Sequence, residues 1–232
     1  MWTLFPNFAI MDRMNHENVP SRDDLAAALI DVCHRMAARG LVAATDGNVS
    51  ARLSSGNILI TRSGINKGDV SESDLVEVRR DGTSASGRPT TELRMHLFIY
   101  DRRKDAGAIV HAHPPFATAF AVAGIALDEP VLPEVIADLG GIPLAPYATP
   151  STEEIPASLA RFVHSHTAIL LSNHGAVTFG PGLLDAYLKM EKVEQAATII
   201  YRARMLGDVR TLSANDVARL RSAAGYQKNH KG

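Results

Sequence analysis

Residues 108–113 read Ala108-Ile-Val-His-Ala-His113, and residues 168–175 read Ala168-Ile-Leu-Leu-Ser-Asn-His-Gly175. Each stretch opens with a short apolar run that does not alternate with polar residues, the pattern of a strand buried on both faces. Side chains two apart on a strand leave from the same face, so His111 and His113 project together and converge on one point. His174 follows the second run, and Gly175 beside it permits close backbone approach. Two strand ends thus offer three nitrogens to one divalent ion. The competing reading is three core histidines satisfied by backbone carbonyls. A second His-x-His pair, His164 and His166, closes a helical stretch, where i and i+2 do not face one another.

Outward from these runs, the period of the apolar residues changes repeatedly. Leu25, Ala28, Leu29, Val32 and Met36 recur at helical spacing behind a capping pair, Ser21 and Asp24, until Gly40 supplies a stop. Residues 49–53, 58–61 and 75–78 are β-rich and separated by Gly56, Gly64 and Gly68. Helices are expected from Thr91 onward, over 114–122, 152–163, 183–206 with Gly207 as its end, and 215–223. A further strand is expected over 142–147. This alternation predicts an α/β or α+β domain over residues 21–226, its helices covering a central sheet, preceded by an arm of 1–20 with no sustained period.

Composition narrows the function. A chain of 232 residues with 46% hydrophobic content can bury a continuous core without disulfides or a structural metal. Its 24 basic and 25 acidic side chains leave no basic footprint for nucleic acid or an anionic membrane, so the expected partner is a small molecule. The single cysteine, Cys33, reads as a packed thiol in a reducing compartment. The opening residues lack the basic start and unbroken apolar run of a signal peptide, and no stretch is long enough to span a bilayer. A cytoplasmic location is expected.

Three protein ligands with open positions suit a catalytic ion, because substrate oxygens must enter its coordination sphere; a structural zinc would need a fourth ligand. Three segments precede the histidines: Thr45-Asp-Gly-Asn-Val-Ser50, Thr61-Arg-Ser-Gly64 and Arg88-Pro-Thr-Thr-Glu92. Their glycine amides and hydroxyls, with a helix start at Thr90 and Thr91, are the parts of a phosphate or carboxylate cradle, and singly each is also ordinary turn chemistry. Glu92, at the N-terminal end of its helix, is either an acid/base residue beside the ion or a surface capping carboxylate.

Taken in order, Gly47-Asn-Val-Ser50, Ile60-Thr-Arg-Ser-Gly64, Thr90-Thr-Glu-Leu-Arg94 with His96, His111-Ala-His113 and Asn173-His-Gly175 resemble the class II aldolase and adducin head-domain family. The resemblance runs from about Asp23 to the last helix and is greatest to the fuculose-phosphate aldolase branch. It implies a three-layer α/β/α domain with a central, mainly antiparallel sheet, and a homotetramer with sites between subunits. It also implies zinc on His111, His113 and His174, with Glu92 approaching the metal when no substrate is bound. Phosphate contacts are implied for Gly47, Asn48, Ser63, Gly64, Thr90 and Thr91. Manganese, iron or cobalt would suit the same donors.

The implied activity is cleavage of a ketose 1-phosphate to dihydroxyacetone phosphate and an aldehyde through a metal-stabilised enediolate, with Glu92 moving the proton. The epimerase branch carries an aspartate where Glu92 stands, and adducin-type members often lose the histidines that this chain keeps. Glu134 stands where the aldolase branch has a proton-donating tyrosine, which keeps open decarboxylation of a 3-keto acid phosphate or dehydration of a sugar phosphate. Tyr226 is the counterpart offered for a second family tyrosine near the C-terminus.

Overall fold

The computed structural model describes residues 20–229, so the arm expected over 1–20 lies outside the described residues except for Pro20. Helix α1 (Arg22–Ala38) begins at a reciprocal capping box between Ser21 and Asp24 and turns Leu25, Leu29, Val32, Cys33 and Met36 inward. Strands β1 (Asn48–Arg52), β2 (Ile58–Thr61) and β3 (Leu75–Val78) follow, then helix α2 (Leu93–Arg102) and strand β4 (Ala108–Ala112). Helices α3 (Pro115–Val122) and α4 (Pro133–Asp138) lead to β5 (Leu144–Ala145) and α5 (Glu154–Leu159). The hairpin of β6 (Ala168–Leu171) and β7 (Gly175–Gly180) precedes the long α6 (Leu183–Leu206) and α7 (Ala214–Asn229).

The strands form one sheet in the order β3-β2-β1-β4-β7-β6-β5. Every pairing is antiparallel except β5 with β6. Apolar side chains leave both faces. Val49, Ala51, Val110 and Leu170 pack with α1, α3 and α6, while Ile60, Ile109, Ile169, Val177 and Phe179 pack with α2 and α5. Burial on both sides explains why 108–110 and 168–171 show no alternation, and it gives the expected α/β fold of three layers with a mainly antiparallel sheet. Among the described residues no helix is long and apolar enough to cross a membrane.

Several elements differ from the expectation. The strand expected over 142–147 shrinks to Leu144–Ala145 because Pro143 and Pro146 flank it and bring no N–H to the ladder. The helix expected over 152–163 is regular only to Leu159, beyond which turn bonds such as Val163 N–H to the Leu159 carbonyl continue. Helix α2 starts at Leu93 rather than Thr91, with Glu92 at the N-cap position. Strand β7, Gly-Ala-Val-Thr-Phe-Gly, is not among the expected elements: it is wholly buried and has neither a polar alternation nor an uninterrupted apolar run to announce it. Nor is α4, a short helix begun by Pro133.

The β2 end is held by Asp74. The Arg62 N–H donates to the Asp74 carbonyl at 2.8 Å. Arg62 Nε donates to Oδ1 at 2.6 Å, and Ser71 gives Oδ2 its hydroxyl at 2.7 Å and its N–H at 2.9 Å. The Ser71 hydroxyl, with Arg62, holds this carboxyl at about 2. Because the folded value lies below the unfolded one, the unfolded chain binds more protons, and the stabilisation is present above 3.8 and is lost as pH falls through about 2. Asp74→Asn is therefore expected to cost on the order of 1 kcal/mol at neutral pH, since solvent around Arg62 screens the pair. It should also flatten the acid limb of the stability profile, measured by urea unfolding at several pH values. An unchanged acid limb would assign that limb to other carboxylates.

Candidate metal centre

The ends of four interior strands, β1, β4, β6 and β7, meet at one end of the sheet. Asn48 opens β1 opposite His111 near the end of β4, and Ala112 lies opposite Ala176 near the start of β7. His113 stands one residue past β4, where its N–H donates to the Leu41 carbonyl at 3.2 Å. His174 closes the β6–β7 turn, with Asn173 before it at φ 57°. Two glycines make this closeness possible. A Cβ on Gly47 would sit 2.7 Å from the His111 carbonyl oxygen, and one on Gly175 would sit 2.5 Å from that of Ala112 and 2.7 Å from the His113 ring.

The three imidazoles form a nearly equilateral propeller. Their ring centroids are 4.8, 4.9 and 4.9 Å apart and their planes cross at 61°, 66° and 68°. One nitrogen from each lies within 4.8 Å of the others, a group able to hold one metal ion. His111 Nδ1 donates to the Ala176 carbonyl at 2.9 Å, which turns Nε2 toward the centre of the group, 3.1 Å from His113 Nε2. Behind His113, Asp46 Oδ2 lies 3.4 Å from Nδ1, a carboxylate-to-imidazole arrangement that raises ligand basicity. Burial, helped by the nearby His111, pulls His174 down to about 4 and also lowers His113, so both present neutral rings. Burial pushes His111 the same way, but the Glu92 carboxylate more than offsets it and the value is raised. The donor set, its convergence and the anchoring of the His111 ring by the Ala176 carbonyl fit a divalent ion.

Glu92 is not a surface cap. Its side chain is 11% exposed and makes no capping bond. Oε2 lies 3.0 Å from His111 Nε2, and Oε1 lies 3.3 Å from His174 Nε2. Burial pushes its carboxyl up, yet the His111 and His174 rings and hydrogen bonds from His111 and Asn48 more than offset this, holding it below the ordinary carboxylate range.

A directed chain of hydrogen bonds stands behind it. Asn48 Nδ2 donates to Glu92 Oε2 at 2.9 Å, so Asn48 Oδ1 is the atom that accepts from His96 Nε2, at 2.5 Å. His96 Nδ1 then accepts from the Ser50 hydroxyl at 2.7 Å, and Ser50 accepts from the Tyr100 hydroxyl at 2.8 Å. Burial, with His111 nearby, pulls His96 down to about 3, so the ring is neutral and carries one N–H for this chain. The sequence motif contained His96 and Ser50 without giving either this part. Glu92, His96 and Tyr100 are four apart on a helix, and Asn48 and Ser50 are two apart on a strand, so periodicity held the signal.

The anion loops gather at the same end of the sheet, though not all of their donors are free. Arg62 bridges Pro89, so the Ser63 N–H donates to the Arg88 carbonyl at 3.2 Å and the Thr90 N–H to that of Thr61 at 3.1 Å. The Asn48 side-chain amide is occupied by Glu92 and His96. Among the described residues, the N–H groups of Gly47, Gly64 and Thr91 make no hydrogen bond, and the first two residues have φ of 73° and 74°. These amides and the hydroxyls of Ser63, Thr90 and Thr91 are the donors available to an anion. Glu134 is exposed on α4 and lines a groove of about 830 Å³ with Arg39, Leu41 and Lys192, outside the histidine group. His164 and His166 take no part in that group. Tyr226 falls in α7, where side chains from 224 onward lie outside the description.

Comparison with known proteins agrees with this geometry. The family model described as the class II aldolase and adducin N-terminal domain matches residues 27–201. The 3-oxo-tetronate 4-phosphate decarboxylase of Escherichia coli K12 is 35% identical over 191 residues, covering 79% of this chain and 89% of that protein. The L-fuculose phosphate aldolase of the same strain is 35% identical over 201 residues, covering 85% and 92%. The crystal structure of L-fuculose-1-phosphate aldolase from Thermus thermophilus superposes with a TM-score of 0.72 at 34% identity, over 82% of this chain and 100% of the other. With its sheet, its histidine group and these matches in agreement, the chain belongs to the class II aldolase and adducin family.

Proposed function

We propose that this chain is a zinc-dependent lyase that cleaves the carbon–carbon bond of a ketose 1-phosphate, giving dihydroxyacetone phosphate and an aldehyde. The observation that carries this reading is Glu92, a buried carboxylate facing two of the three clustered imidazoles. Asn48 holds Oε2, and Oε1 has no hydrogen-bond partner among the described residues. When bound by His111, His113 and His174, a divalent ion supplies a Lewis acid for the oxygens beside the breaking bond.

The residues of the chain do the rest. Oε1 of Glu92 accepts the proton of the hydroxyl whose carbon departs as the aldehyde. The bond electrons pass to the ketose carbon as an enediolate, and the protonated Glu92 returns the proton to that carbon, so atoms and charge balance. The free amides of Gly47, Gly64 and Thr91 and the hydroxyls of Ser63, Thr90 and Thr91 seat the phosphate. Asn48 contributes by orienting Glu92. A homotetramer in the cytoplasm belongs to the same reading; Leu188, Tyr201, Met205 and Leu206 leave apolar area exposed along α6 for subunit contacts.

A second reading, decarboxylation of a 3-keto acid phosphate, draws support from Glu134 in place of the tyrosine and from the 35% identical decarboxylase. It needs the same electron sink but only a proton donor, whereas Glu92 is arranged as an acceptor. Elemental analysis of the purified protein should find about one zinc per chain, with loss of the metal in His111→Ala. A parallel screen for aldehyde release from ketose 1-phosphates and carbon dioxide release from 3-keto acid phosphates separates the two activities. Aldehyde alone supports the aldolase, and carbon dioxide alone replaces it with the decarboxylase.

Glu92→Gln should keep the metal, lower kcat by roughly 10²- to 10⁴-fold and stop solvent proton exchange into dihydroxyacetone phosphate. Exchange at the wild-type rate would remove Glu92 from this role. Ser50→Ala takes away the hydroxyl that fixes His96 and, through it, Asn48. We expect kcat to fall about tenfold while metal content and KM stay unchanged, because only the carboxylate's orientation is loosened.

A further inference from the structure

Lys67 is 1% exposed, a rare placement for an ammonium. It lies in a single helical turn, Lys67–Asp69, begun by an Asn66 side chain that accepts the Gly68 N–H. Its Nζ donates to the Ile65 carbonyl at 2.6 Å and to the Thr45 carbonyl at 3.2 Å. Ile65 directly follows Gly64, and Thr45 stands two residues before Gly47. One buried charge therefore ties together the two segments whose glycine amides are free.

Among the described residues no carboxylate lies within ion-pairing distance of Nζ. Asp46 acts on it only from farther away. The neighbouring Cys33 offers no negative charge, since burial pushes its thiol up to about 12 despite Lys67. Burying an ammonium without a close counter-charge is costly, and packing alone would be served as well by methionine.

We infer that Lys67 is a positioning residue for the anionic end of the substrate, clamping the 45–48 and 63–66 segments so that their amides converge and supplying from the interior a positive charge that a bound phosphate balances. This rests on the reading of those segments as the phosphate seat. The phosphate needs no direct contact with Nζ, because the attraction acts through a low-dielectric layer of backbone.

The test uses inorganic phosphate as the probe, titrated calorimetrically into wild type and Lys67→Met, each both metal-loaded and metal-stripped. The expected result is phosphate binding by wild type and roughly tenfold weaker binding by Lys67→Met in both states. Metal content should be unchanged, and KM for a phosphorylated substrate should rise more than kcat falls. Lys67→Gln, which keeps a donor for the carbonyls but not the charge, serves if the methionine variant does not fold and should weaken phosphate in the same way. Equal affinity in wild type and a folded variant would overturn the role of Lys67 while leaving the phosphate seat intact. Absence of phosphate binding by wild type would overturn both the seat and the inference built on it.

Discussion

Two backbone ladders, β1 with β4 and β4 with β7, set Asn48 opposite His111 and Ala112 opposite Ala176. A slip of one residue in either would turn His111 to the other face of the sheet and break the histidine propeller. That register is over-determined by packing, because Val110 and Ile109 are buried in separate clusters on the two faces and neither position tolerates water. The site is thus a by-product of core packing: the same pressure that buries β4 aims its histidines. Gly47 and Gly175 are the cost of the arrangement, since any side chain at either position would meet backbone atoms of β4.

The hydrogen-bond chain from Tyr100 to Glu92 has one direction throughout. A donor enters at each step, from Tyr100 to Ser50, from Ser50 to His96, from His96 to Asn48 and from Asn48 to Glu92. Reversing the Asn48 amide would set its NH₂ against His96 Nε2 and its oxygen against a carboxylate, so the neutral His96 ring fixes the polarity of its neighbour. The consequence reaches the carboxylate: Asn48 tethers Glu92 Oε2, which also faces His111, while Oε1 faces His174.

How much of this the sequence made legible follows from which forces are local. Periodicity alone found β4, β6 and the facing of His111 with His113, because strand geometry at i and i+2 is a local fact. It found α1 from its cap and α6 from its apolar period and Gly207. It missed β7, whose six buried residues owe their state to pairing with β4 and β6 rather than to their own pattern. The depth of Glu92 was equally invisible, since an N-terminal carboxylate on a helix reads alike whether it faces solvent or a histidine group. Lys67 is illegible for a similar reason: a lysine after Ile65 and Asn66 reads as a surface residue, and only the tertiary packing of its turn against α1 and the 45–48 segment buries it. The free and occupied amides of the anion loops could be sorted only once the bridge between Arg62 and Pro89 was known.

The same region holds buried polar atoms that cost stability. Glu92 Oε1 and His174 Nδ1 are buried without hydrogen-bond partners among the described residues, and each such atom costs about 1–3 kcal/mol. Lys67 adds a buried amine whose hydrogen bonds go to two backbone carbonyls. Asn173 adds a left-handed backbone at the turn that delivers His174. These costs gather where the strand ends meet, while elsewhere Thr118 Oγ1 on α3 is also buried without a hydrogen-bond partner among the described residues. Stability is drawn from the layers and surrendered chiefly at the strand ends. What is surrendered has a chemical pattern: lone pairs aimed at one point, amides without acceptors and a cation without an anion, which are the complements of a divalent ion and a phosphorylated substrate. Strand ends arranged for folding alone would have filled these positions with apolar side chains, so the distribution of unmet polarity is itself an argument for a working site.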